Sequence, residues 1–65
     1  IAIFMIENLD GKVKMSFRSK GKYIVNEFAQ KHFNGGGHKY AAGGMSELSL
    51  SQTKDLLLKH YKELL

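Results

Sequence analysis

The side chains here that could do chemistry gather around bare backbone. Residues 35–44 read Gly-Gly-Gly-His-Lys-Tyr-Ala-Ala-Gly-Gly and hold five of the chain's seven glycines. Consecutive N–H groups without Cβ atoms can converge on an anion, and a following basic side chain can complete the site. His38 directly follows Gly35, Gly36 and Gly37, and it can donate to a phosphate oxygen as either neutral tautomer or as a cation. The competing reading is close packing, in which the glycines let a helix end approach a sheet. A flexible linker does not fit the His, Lys, Tyr and Ala neighbours. A simple helix C-cap needs fewer glycines. The Walker-type phosphate loop is absent, and a G-x-G-x-x-G starting at Gly35 fails because Tyr40 stands in its last position.

Hydrolytic chemistry has no visible machinery. Without cysteine there is no Cys-His pair, and no Ser-His-Asp set is evident. The three histidines and six acids show no recognisable metal-ligand spacing. His32 and His60 fall in helical patterns and receive no function. No catalytic residue and no metal ligand is therefore expected within the chain.

The charge is uneven. Net charge is +4, and Lys12, Lys14, Arg18, Lys20 and Lys22 lie within eleven residues that contain no acid. Such a strip suits an anionic partner, nucleic acid or a phosphorylated small molecule. On charge alone the favoured reading is a solvated strand edge whose lysines discourage edge-to-edge pairing.

The elements that would carry these residues read as follows. Ile1 to Leu9 is apolar on both faces and suits an interior strand covered on two sides. Asp10-Gly11 signals a hairpin. Lys12 to Ser19 then alternates, with Val13, Met15 and Phe17 on one face and Lys12, Lys14, Ser16 and Arg18 on the other. Tyr23 to Phe33 has helical spacing, lacks a good N-cap and stops at Asn34-Gly35. Ser49 and Gln52 form a capping box for a last helix with an apolar stripe at Leu50, Thr53, Leu56, Leu57, Tyr61 and Leu64. A short third strand is expected around Gly44 to Leu48. The fold class is α+β: a small mixed sheet, made of a β-hairpin plus that third strand, with two helices in the order β-β-α-loop-β-α.

Sixty-five residues make a single domain with a modest core and no disulfide to reinforce it. Support from a neighbouring domain or a second copy, as a homodimer, is an expected remedy. The chain opens without Met in an apolar run, which reads as a fragment of a longer protein. Absence of cysteine points to a reducing compartment, the cytoplasm. The longest apolar stretch, Ile1 to Ile6, is too short to span a bilayer.

Ser-Phe-Arg-Ser at 16–19, a helix, and then Gly-Gly-Gly-His-Lys-Tyr-Ala-Ala-Gly-Gly at 35–44 resemble the C-terminal DHH-associated domain of DHH-family phosphoesterases. The similarity covers most of the chain and is strongest to bacterial oligoribonucleases that also dephosphorylate pAp, the exopolyphosphatase-related type. The resemblance implies a C-terminal substrate-binding domain, residues 1–65, of a two-domain protein. Its missing N-terminal DHH domain would hold two manganese ions and cut short RNA or pAp. None of that domain's metal-binding motifs occurs here, so the resemblance implies no cofactor in this segment. It implies that Gly35, Gly36, Gly37 and His38 contact substrate phosphate and that Arg18 binds a further phosphate, with Ser19 assisting. Tyr40 departs from the pattern without an assigned role, and the chain is shorter than the usual domain. Related domains also end alanyl-tRNA synthetases, where they contact tRNA without hydrolysis; that is the alternative function. Phosphate contacts of this kind position a substrate and read no bases. Tyr23 and Tyr40 are the candidates for stacking on a base, with core placement the competing reading.

Overall fold

A computed structural model describes residues 1–65. The first hairpin pairs β1 (Ala2–Glu7) with β2 (Val13–Arg18). Its loop closes where predicted: Gly11 takes φ +85°, and the Lys12 amide donates to the Asp10 carboxylate at 3.1 Å. Helix α1 (Asn26–Phe33) follows, then β3 (Gly36–His38), β4 (Ala41–Ser46), α2 (Leu50–His60) and a closing 3₁₀ turn, η1 (Tyr61–Leu64).

The α+β class with two helices holds, and three details differ from expectation. The glycine stretch is not a loop, because Gly36–His38 is a strand, so the order is β-β-α-β-β-α. The third strand expected at Gly44 to Leu48 is centred earlier, at Ala41–Ser46. Small residues hide β propensity, since they carry no side-chain pattern to read. The sheet is wholly antiparallel rather than mixed, in the order β1-β2-β4-β3.

That order also places β1 at an edge, not in the interior. Ile3 and Met5 pack toward the core, while Phe4 and Ile6 on the opposite face are 56% and 63% exposed. The two-sided apolar pattern of β1 is real, but only one side is covered by this chain.

Both helices lie on one face of the sheet and enclose the core. Val13, Met15 and Phe17 point inward from β2 and are almost fully buried. Phe17, Phe28 and Phe33 form a triangle with ring centroids 5.8–6.0 Å apart. Burial on this scale stabilises by about 25 cal/mol per Å² of apolar surface.

Helix α1 begins at Asn26, later than the apolar spacing suggested, and Val25 offers no side-chain cap. Its start is held instead by the Val25 amide, which donates to Lys39 O at 2.7 Å in the β3–β4 turn. Asn34 ends the helix in the left-handed conformation, φ 49°. In α2 the capping box is present, with Ser49 Oγ accepting from the Gln52 amide at 3.1 Å. Thr53 owes its burial to a polar partner: its hydroxyl donates to Ser46 Oγ at 2.7 Å.

Glu63 ties the two ends of the helical layer together. It accepts from His32 at 3.0 Å, His60 at 3.1 Å and Lys31 at 3.3 Å. The His32 hydrogen bond, with a smaller contribution from Lys31, holds the Glu63 carboxyl down from 4.5 to about 2. A carboxyl whose folded value is depressed favours the fold while ionised, so its contribution is complete above pH 4.5 and fades toward about 2. In chelator-containing buffer, Glu63→Gln should lower the thermal midpoint near neutral pH. The gap from the unmodified chain should narrow as pH falls through that window. A gap that stays constant with pH would mean that the carboxylate charge contributes nothing.

Candidate nucleotide-binding face

Strand register decides which residues meet on the uncovered face of the sheet. Arg18 lies opposite Ala41, and Ala41 lies opposite His38 on its other side. The three form one row across the sheet, which Ala2 extends on β1. Strands are spaced about 4.8 Å apart, so the Arg18 and His38 backbones stand roughly 10 Å apart with only a methyl group between them. Ser16, Gly43 and Gly36 make the next row, beginning at Phe4. Lys14 and Met45 continue a third from Ile6. No position in these rows is acidic. The basic side of the first hairpin and the glycine strand therefore share one face.

The glycines divide into two sets. A Cβ at Gly35 would overlap the Gly43 carbonyl oxygen, and one at Gly44 would stand 2.9 Å from Phe33 Cβ. Gly37 has φ +135° and would crowd Ala41 O at 2.7 Å. These three are glycine because the helix end, β3 and β4 approach too closely for a side chain. Gly36 is different: its φ lies outside the left-handed region, and a Cβ there would meet nothing within 4 Å. At Gly43 the nearest atom would be 3.6 Å away, an ordinary contact. Neither needs to be glycine for this chain's own packing, and both lie on the open face. Glycine in a strand costs roughly 0.5–1 kcal/mol relative to alanine. Bare backbone at Gly36 and Gly43 leaves room for an outside group to approach the sheet closely. Strand β3 is also an edge, so alternate peptide groups turn away from β4 and are open to an acceptor.

Arg18 is pre-set over this surface. Its Nη1 donates to Phe17 O at 2.9 Å and Ala42 O at 3.2 Å, which fixes the guanidinium and leaves its Nε–Nη2 edge without a hydrogen bond in the chain, a fork that matches two oxygens of one anion. A shallow hollow beside it is lined by Ile1, Ala2, Ser19 and Lys20. Ser19 itself sits just past β2, where its amide donates to Tyr40 O at 2.9 Å and its Oγ accepts from the Tyr23 amide at 3.3 Å. The structure thus gives Ser19 a turn-holding task and does not bring it into the Arg18–His38 row. Tyr40 finds its role here too. It is a turn residue whose carbonyl anchors the β3–β4 hairpin to β2, and the residue is 42% exposed. Tyr23 is half-buried under Lys22, whose Nζ lies 5.4 Å from the ring centroid. The basic strip splits as well: Lys12 pairs with Glu47 at 3.9 Å, whereas Lys14 and Arg18 keep the open face.

The DHHA1 domain family model matches residues 1–65. The chain belongs to the DHHA1 domain family. No curated protein and no solved structure matches it. DHHA1 domains are nucleotide- or nucleic-acid-binding accessory domains of DHH phosphoesterases, normally paired with an N-terminal DHH catalytic domain. An open, acid-free face with Arg18, His38 and exposed peptide groups suits that class of ligand. No helix of this DHHA1 domain is long and apolar enough to cross a membrane.

Sequence reasoning missed Phe4, Gly43 and Met45 as members of this face. The available signal was β1's apolar outer side, which was read as burial within the chain. The split of the glycines makes a direct test. Gly35→Ala and Gly44→Ala should each destabilise the DHHA1 domain by about 2 kcal/mol or more, whereas Gly36→Ala should leave stability unchanged or raise it by up to about 1 kcal/mol. Denaturant unfolding compares them; equal losses at all three sites would show that Gly36 is also glycine for packing.

Proposed function

We propose that this DHHA1 domain holds the phosphates of a short oligoribonucleotide or of pAp for hydrolysis by a DHH catalytic domain of the same protein, in the cytoplasm. The observation that carries the reading is the pair Gly36 and Gly43, bare backbone with no packing need, between Arg18 and Lys14 on β2 and His38 on β3. One phosphate would rest against the Nε–Nη2 edge of Arg18 as a bidentate, charge-assisted pair. A second would take the outward peptide groups of the β3 edge around Gly36 and Gly37 together with His38, with Ser19 at the margin; the Gly35 amide is held by Ala29 O at 2.9 Å and shapes the strand without reaching the ligand. Phe4 and Met45, which flank the glycine rows, give a base or the catalytic domain an apolar surface to rest on. The contacts are to phosphate, so base identity is read weakly.

The hydrolytic step lies outside this segment. A two-manganese cluster calls for carboxylate and imidazole ligands, and the open face offers His38 with no carboxylate. These residues do not fit such a cluster, and no metal-assisted step is assigned to them. Their task is to bind and orient the substrate.

Titrating a 5′-phosphorylated diribonucleotide into the chain should move the amide signals of Gly36, His38 and Arg18. Two phosphate contacts give a slope of log affinity against log salt near −1.4, at about 0.7 per phosphate on a single strand. Gly36→Ala should weaken this binding without lowering the thermal midpoint. Shifts confined to the helical side would remove the open face from nucleotide binding. In the whole protein, Arg18→Ala should raise KM for the diribonucleotide roughly 10- to 100-fold through loss of a charged hydrogen bond; unchanged KM and kcat would remove Arg18 from the site. The parent gene separates this from the non-hydrolytic alternative. An upstream Asp-His-His segment agrees with a phosphoesterase, and an upstream synthetase-like region replaces it with tRNA binding.

A further inference from the structure

Far apart in sequence, His32 and His60 meet Glu63 on the helical side of the molecule, behind the sheet. The three come from α1, from the last residue of α2 and from η1. One ligand atom of each lies within 4.8 Å of the others. His32 Nε2 stands 3.0 Å from Glu63 Oε1, and His60 Nδ1 stands 3.1 Å from Glu63 Oε2. The imidazole rings stack, with centroids 4.1 Å apart and planes 20° from parallel, so both present a nitrogen to the same carboxylate. Ligand atoms around a tetrahedral ion with bonds of about 2.0–2.1 Å stand about 3.3 Å from one another. The two nitrogen–oxygen separations are close to that value, and the stacked rings must open away from each other to aim both lone pairs at one ion.

We propose that His32, His60 and Glu63 form a binding site for a divalent transition-metal ion, with Zn²⁺ the best match. Two imidazoles and one carboxylate select zinc and its neighbours in the first transition row over magnesium or calcium, which prefer all-oxygen shells. Three protein ligands leave a fourth position for water, and the Glu63 side chain is 40% exposed. Binding requires each ring to carry its proton on the nitrogen turned away from the ion, Nδ1 in His32 and Nε2 in His60. Lys31 is the competing cation: its Nζ holds Glu63 Oε1 at 3.3 Å and must swing out when the metal enters. The bound ion would staple η1 to α1 across a gap of sequence from residue 32 to residue 60. In a domain without disulfides, that closes the helical layer by a metal bridge.

The chain's three histidines make the test direct. Zn²⁺ titrated into the 65-residue chain, followed by imidazole NMR, should shift His32 and His60 together at one equivalent and leave His38 in place. At a zinc concentration about 100 times Kd the thermal midpoint should rise by roughly 10–20 °C. Co²⁺ should give the visible absorption of a tetrahedral site. His60→Gln should weaken binding at least 10-fold. Lys31→Met should tighten it several-fold, although it removes an ion pair, which a purely structural salt-bridge cluster would not do. The proposal is overturned if His38 shifts in parallel with the other two, or if millimolar zinc leaves all three unmoved. It is also overturned if Lys31→Met leaves affinity unchanged or weakens it.

Discussion

The nearness of three backbones governs the rest of this structure. Where α1 ends, Gly35 passes so close to β4 that a side chain there would occupy the position of the Gly43 carbonyl. One residue further along β4, Gly44 rests against Phe33 and the edge of the Phe17 ring. This contact seats the helix end on the sheet and lets β3 pair with β4. It also completes the Phe17, Phe28 and Phe33 triangle beneath. Larger residues at Gly35 or Gly44 would push the helix from the sheet and cost both the core contact and the strand.

From that contact the functional face follows. Pairing of β3 with β4 sets His38 beside Ala41, and pairing of β4 with β2 sets Arg18 on the other side of the same alanine. The turn that joins β3 to β4 is itself anchored at both ends, through Lys39 O to Val25 and Tyr40 O to Ser19. Neither turn residue takes a positive φ, so the anchors do the work that turn-specific glycine does in many hairpins. The core on one side of the sheet and the row of Arg18, Ala41 and His38 on the other thus share a single strand, β4. A DHHA1 domain of this size can present a binding face of fixed geometry because its binding and packing residues alternate along the same backbone.

Several features were legible in the residues themselves. The first hairpin was readable from Asp10-Gly11 and the alternation of Val13, Met15 and Phe17, since local turn chemistry and period-two burial need no distant partner. The capping box at Ser49 and Gln52 was equally local. Arg18 and His38 stood out by type and setting, and the family signature around residues 35–44 was visible as a motif. The strand at Gly36–His38 was hidden, because glycine carries no hydrophobic period and its strand state comes from pairing with β4. Placement of β1 at an edge was likewise out of reach, since an apolar outer face looks the same whether it is covered by this chain or by another surface.

By itself, then, the sequence determined the α+β class, the two helices, the first hairpin and the family signature at residues 35–44, because each depends on neighbours within a few positions. Only the tertiary structure decided which glycines serve packing and which lie bare, because that depends on atoms of β4 and Phe33 meeting α1's end across the fold. It alone put Arg18 and His38 in one row, since register is a property of strand pairs. It alone joined His32, His60 and Glu63, whose nearness arises from folding the last turn of the chain back onto α1.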